Sequence, residues 1–212
     1  MKTTPQKLVI RLTLAACLGT ALNGCAPLVV GGAVVGTMVA TDRRTAGAQL
    51  DDEGIEIRAA SRIREHLGGR VRVDVTSYNR QVLLTGEVPG AQDKQLLEQV
   101  VSRIDNVRAI VNEVAILGNS TLTQRGSDTF VTGKVKAGLL DAKGLDFNVF
   151  KVVTERGVTY LMGRVTQREA DQATQIVRST PGVQKVVRVL EIISEDELRS
   201  AAPKPTAADA RK

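Results

Sequence analysis

At 212 residues, with 42% hydrophobic and 25% charged side chains, the chain has the composition of a folded globular protein and the length of one or two domains. Three Phe, two Tyr and no Trp leave too few stacking platforms for single-stranded nucleic acid, which is therefore excluded as a partner. The formal charge of +6 falls to +3 once Lys2, Lys7 and Arg11 in the first 25 residues are set aside.

Those three cations precede an apolar run from Leu12 to Ala21 and the tetrapeptide Leu22-Asn23-Gly24-Cys25. The order predicts a secretory signal over residues 1–24. A Cys directly after a small residue resembles the bacterial lipobox, with Cys25 as the lipid attachment point. The tetrapeptide Leu14-Ala15-Ala16-Cys17 competes with it, but only five residues separate Arg11 from Cys17, too few for an apolar core. Cleavage before Cys25 removes Cys17 and leaves one thiol, so no internal disulfide is expected.

Residues 25–50 follow as an apolar tether. Leu12 to Thr41 carries no charge, yet Gly24, Pro27, Gly31, Gly32 and Gly36 argue against one stable spanning helix. An uncleaved N-terminal anchor is the other reading, and either one places the remainder outside the cytoplasm.

Ile55, Ala59, Ile63 and Leu67 fall four apart and predict an amphipathic helix over 54–67, stopped by Gly68-Gly69. Val71, Val73 and Val75 alternate with polar residues, turn at Tyr78-Asn79-Arg80 and return through Val82 to Val88. Leu97, Val100, Val101 and Ile104 predict a second helix over about 91–103, and Arg108 to Ile116 a last strand. The first module, 51–118, is thus α-β-β-α-β, and a linker over 119–126 follows it.

The same plan then recurs. Val82-Leu83-Leu84-Thr85-Gly86-Glu87-Val88 returns 77 residues later as Thr159-Tyr160-Leu161-Met162-Gly163-Arg164-Val165. Helices are expected over 128–141 and 167–179, and strands near 146–154, 157–165 and 183–192, giving a second module over 127–194. Glycine weakens a strand interior, so Gly86 and Gly163 mark close approach of a helix or a backbone. The fold class is α+β, two tandem units each with two helices on a small three-stranded sheet. Residues 195–212 read as a disordered tail. The first module holds nine basic and eleven acidic side chains and the second ten and seven, so the second is expected to meet an anionic partner.

The element order, the strands ending Leu-x-Gly-x-Val, and the Asn106-Val107 and Gly182-Val183 turns resemble the BON domain. Two copies behind a lipobox and a Gly/Ala/Val-rich tether are similar to the dual-BON outer-membrane lipoproteins of Gram-negative bacteria. Val34-Val35-Gly36-Thr37, Asp128-Thr129-Phe130 and the stretch from Tyr160 to Ala170 carry this resemblance. It implies a non-enzymatic protein anchored at the periplasmic face of the outer membrane, whose second module binds anionic phospholipid through its leading helix and supports envelope integrity, with a further role at division sites.

An aromatic residue opens that helix in the family, and Phe130 holds the position here. If Val131, Val135 and Leu139 face the core, Phe130, Lys134 and Ala137 lie on an adjacent flank, one aromatic and one cation four residues apart. The candidate phospholipid-binding set is therefore Phe130, Val131, Lys134 and Ala137. The corresponding first-module positions are Gly54, Arg58 and Ser61, with nothing apolar to insert. The alternative is an adaptor that docks other envelope proteins. His66 is the one histidine and reads as a surface residue, no metal-ligand spacing occurs, and no cofactor is expected. The pair Asp51-Asp52 reads as a helix cap or a solvated module edge. Oligomeric state is left open.

Overall fold

The computed structural model describes residues 42–201; the predicted signal, Cys17, Cys25, the tether up to Thr41 and residues 202–212 lie outside the described residues. The first module runs α1 (Ala46–Leu67), β1 (Arg72–Tyr78), β2 (Gln81–Val88), α2 (Ala91–Ser102), β3 (Ala109–Asn112) and β4 (Ala115–Ile116). The second runs α3 (Leu122–Leu140), β5 (Phe150–Glu155), β6 (Val158–Thr166), α4 (Gln167–Ser179) and β7 (Lys185–Ile193), with α5 (Glu195–Ala201) after it.

Both leading helices start earlier than the apolar spacing predicts, because their caps lie outside the apolar stripe. Thr45 accepts the N–H of Ala48 ahead of α1. Thr121 and Gln124 form a reciprocal capping box ahead of α3, which shortens the predicted 119–126 linker. The expected disorder over 195–212 is corrected over its first seven residues: α5 forms there, with Ser194 accepting from the Glu197 N–H and three acidic residues in the first turn.

In each module the hairpin is antiparallel and the last strand returns parallel to the second. β3 and β4 keep one register on β2, with Gln81 opposite Ala109 and Glu87 opposite Ala115, so together they are one strand with an interrupted ladder. Helices cover one face of each sheet. Ile55, Ala59, Ile63 and Leu67 of α1 meet Val82, Leu84 and Val88 of β2 and Leu97 and Val101 of α2. Val131, Val135 and Leu139 of α3 meet Leu161 and Val165 of β6 and Ala170, Ala173 and Val177 of α4.

The other faces meet each other. Tyr78 and Leu83 pack on Tyr160, Met162 and Val189 in a third apolar cluster, with Val111, Val153 and Val187 at its margin. The result is four layers, α1/α2, sheet, sheet and α3/α4, so the two helix layers look outward in opposite directions. Gly86 and Gly163 permit a close backbone approach inside each module. A Cβ at Gly86, where φ is +109°, would overlap the Arg72 carbonyl oxygen, and one at Gly163 would lie 2.6 Å from the Val149 carbonyl oxygen.

Ion pairs fasten the rim. Fully buried Glu87 accepts from Arg72 at 2.8 Å and from Arg156 of the other module at 3.2 Å, and Arg72 also pairs with Glu155. Tyr78 donates to the Val149 carbonyl at 3.2 Å, and Lys151 pairs with Glu56 at 2.7 Å. Ahead of α1, Arg43 grips Glu169 of α4 with two bonds of 2.7 Å. Burial alone would raise the Glu169 pKa, but the Arg43 guanidinium and the Thr166 N–H outweigh it and hold the carboxyl at about 2.

Leu83→Ala should cost roughly 2–5 kcal/mol, the usual range for deleting a fully buried leucine, and loosen one module from the other. Denaturant unfolding gives the cost, and small-angle scattering reads the expansion.

A depressed carboxyl contributes stability above its unfolded pKa of about 4.3 and loses it as pH falls through the folded value. The Arg43–Glu169 contribution should therefore vanish between about pH 4 and the folded pKa near 2. Glu87 and Glu191 are also held low, whereas burial pushes Glu155 up and partly offsets the trend. Glu169→Gln should cost on the order of 3 kcal/mol at pH 7, at about 1.36 kcal/mol per pKa unit, and the gap to the native chain should close on acidification. Paired melts across that range measure it.

Candidate functional site

The site is built on α3. Its buried stripe is Asp128, Val131, Val135 and Leu139. The Asp128 carboxylate accepts the backbone N–H of Arg156 at 2.8 Å and of Gly157 at 2.9 Å, in the tight turn between β5 and β6. Two charge-assisted bonds from one helix position fix the rotation of α3 about its axis. In the first module Asp52 does the same for Asn79 and Arg80, each N–H at 2.7 Å, and also accepts from Ser77 and Arg44. Asp52 is thus a buried turn anchor, which corrects its reading as a cap or solvated edge residue. The signal was present in the sequence, since Asp52 and Asp128 stand 76 apart, the same offset as Ile55 and Val131.

With α3 held in this rotation, Phe130 projects into solvent at 68% exposure. Lys134 sits one turn later with its ammonium 5.0 Å from the Phe130 ring centroid, a cation–π geometry. The same ammonium donates to the Pro181 carbonyl, tying the flank to the turn between α4 and β7. Gly182 follows with φ +103°, and a Cβ there would lie 2.6 Å from a Val131 methyl. Only a residue without a side chain lets this turn close so tightly on the helix.

Ala137 is exposed and Lys134 is half-buried, so these two and Phe130 share the predicted flank. Val131 does not belong with them. It is 4% exposed and packs in the second-module core, so it supports the flank from beneath and presents no surface. Leu140, at 61% exposure, adds an apolar group at the end of α3 that spacing from Phe130 did not single out.

At the equivalent first-module positions the Arg58 guanidinium covers Gly54 and donates to the Asp105 carbonyl at 3.4 Å. The bridge from helix to turn is therefore duplicated, whereas the aromatic is not. Leu50 and Ile57 are nonetheless exposed on a neighbouring stripe of α1, at 71% and 64%. The first helix is less uniformly polar than Gly54, Arg58 and Ser61 alone suggest.

Comparison with known proteins matches the BON domain twice, over residues 51–118 and 127–194. The chain is similar to the outer membrane lipoprotein DolP of Haemophilus influenzae, 33% identical over 174 residues that cover 81% of this chain and 90% of the relative. It is also similar to a 21 kDa hemolysin of Actinobacillus pleuropneumoniae, 30% identical over 72% of this chain and 79% of that protein. A solved structure of CdsD, a structural protein of the type III secretion system of Chlamydia trachomatis, is 14% identical with a TM-score of 0.29, covering 66% of this chain and 95% of that one.

Asp128→Ala should leave one buried and one half-buried N–H group without acceptors and cost roughly 2–4 kcal/mol, at about 1.5–3 per bond to a charged group with partial relief by water. Amide hydrogen exchange at Arg156 and Gly157 should quicken by at least tenfold, and unchanged exchange would show that Asp128 does not hold the turn.

Proposed function

The chain belongs to the BON-domain family, and from that premise we propose that it is a non-enzymatic outer-membrane lipoprotein that binds anionic phospholipid through the outer flank of α3. The observation that carries this reading is Phe130, a large apolar side chain held in water by a helix whose rotation Asp128 and the Gly182 turn leave no freedom to change. Exposed aromatic rings are favoured at the boundary between headgroups and acyl chains. Lys134 on the ring and exposed Lys136 beside it supply cations for lipid phosphates.

Similarity to an outer membrane lipoprotein supports anchoring at Cys25 and a position at the periplasmic face of the outer membrane. A lipid anchor and a second weak membrane contact reinforce each other, because the anchor makes the second contact intramolecular. The α3 flank would then lay the second module on the leaflet that holds the anchor and support outer-membrane integrity there, including at division sites.

Burying a phenylalanine ring stabilises by roughly 1.5–3 kcal/mol, about ten- to hundredfold in affinity. Phe130→Asp should weaken co-sedimentation with phosphatidylglycerol vesicles by at least tenfold and leave the thermal melt unchanged. Leu50→Asp, on the opposite helix layer, should bind as the native chain does. Raising salt should weaken native binding in proportion to the lysine contribution. Undiminished binding by Phe130→Asp would remove α3 as the lipid contact.

A further inference from the structure

We infer that the groove between α1 and α2 of the first module is a second binding site, for a protein segment that carries carboxylates beside an apolar side chain. Arg62 and His66 rise from the end of α1 and Arg103 from the end of α2, over a floor of Leu96, Val100 and Ile104 around a cavity of about 310 Å³. That volume holds two or three side chains or a small ligand. The lining contains no carboxylate, although the surrounding module is acidic overall. Arg62 approaches Glu65 only at 3.8 Å in a pair that is about 60% exposed on both sides, so its guanidinium is available to a partner.

The duplicated fold supplies an internal control. Seventy-six residues on, Arg62, His66 and Arg103 become Gly138, Ala142 and Ser179, and all three basic groups are lost together. At Gly138 an added Cβ would lie 3.1 Å from an Ile176 methyl, so the second module has little room for a long side chain where the first carries Arg62. The scaffold therefore does not require the groove or its charges. Arginine forks match carboxylates in geometry as well as charge, and the partly buried floor beneath them gives a neighbouring apolar side chain a seat.

Orientation selects the class of partner. The two helix layers lie on opposite sides of the paired sheets, so a bilayer against α3 is not the surface that faces the α1/α2 groove. A carboxylate-bearing segment of another protein meets these requirements, and a membrane lipid does not.

Panning a random octapeptide display library on the full chain in neutral detergent micelles tests the site. The expected peptides combine Asp or Glu with Leu, Ile or Phe and shift the methyl resonances of Leu96, Val100 and Ile104. Their affinity should fall at least tenfold in Arg62→Gln/Arg103→Gln, whose changes are on exposed side chains and should leave the melt unaltered. No enrichment, enrichment without an acidic signature, or equal binding by the double variant would overturn the proposal. So would phosphatidylglycerol vesicles shifting the groove methyls in place of peptide, which would make the groove a lipid site. Vesicle binding that depends on Phe130 but not on Arg62 and Arg103 leaves the α3 reading intact whichever way the groove behaves.

Discussion

Each module has two helices and only enough of them to cover one face of its sheet, so two apolar faces remain and must be removed from water. They cover each other. Tyr78 and Leu83 of one sheet and Tyr160, Met162 and Val189 of the other form the layer on which the arrangement of the modules depends. The rim pairs Arg72–Glu155, Arg156–Glu87 and Arg43–Glu169 then fix the angle at which the faces meet, because charges taken from water tolerate little misalignment. The outward orientation of both helix layers follows from that contact alone.

The elements of each module were legible because their periodicity is strong, and the duplication gave each weak segment a second reading. The pairing of the sheets was not inferred, although its signal lies in the repeated strand itself. Val82-Leu83-Leu84 and Tyr160-Leu161-Met162 are apolar without alternation, the pattern of a strand buried on both faces. A strand with one wet face would have put polar residues at Leu83, Tyr160 and Met162. Helix starts are hidden for a different reason: Thr45 acts through one backbone bond and Thr121 through a reciprocal box with Gln124, and polar caps of this kind leave no mark on hydrophobic spacing. At the candidate site, helical geometry separated the exposed flank of Phe130 and Ala137 from the core stripe. It could not show that Lys134 leans back onto Pro181 or that Gly182 closes over Val131, since both contacts come from a turn 47 to 51 residues away in sequence.

Duplication explains where the two modules have diverged. Buried positions facing the partner sheet or the module's own core are constrained by packing on both sides, and a change there is felt across the molecule. Outer helix positions carry no such burden. Gly54 against Phe130, and Arg62, His66 and Arg103 against Gly138, Ala142 and Ser179, all lie on the helix layers, whereas Asp52 and Asp128 are the same residue in the same role. Turn anchors and sheet glycines define a shared frame, and specificity is written on the two surfaces that the frame turns away from each other.

The frame also bears on the membrane contact proposed for α3. A mobile aromatic side chain on a loop would have to give up conformational freedom on entering an interface, and that cost would be subtracted from the gain of burying the ring. Here the freedom is already spent in the folded state. Asp128 sets the rotation of α3, Val131 is locked against Gly182, and Lys134 is held between the Phe130 ring and the Pro181 carbonyl. The same restraint limits the lysine, whose ammonium already has a carbonyl partner and would have to be shared with a lipid phosphate in the proposed contact. In the proposed contact, apolar insertion is therefore the principal contribution of this flank, and charge would direct where the insertion occurs.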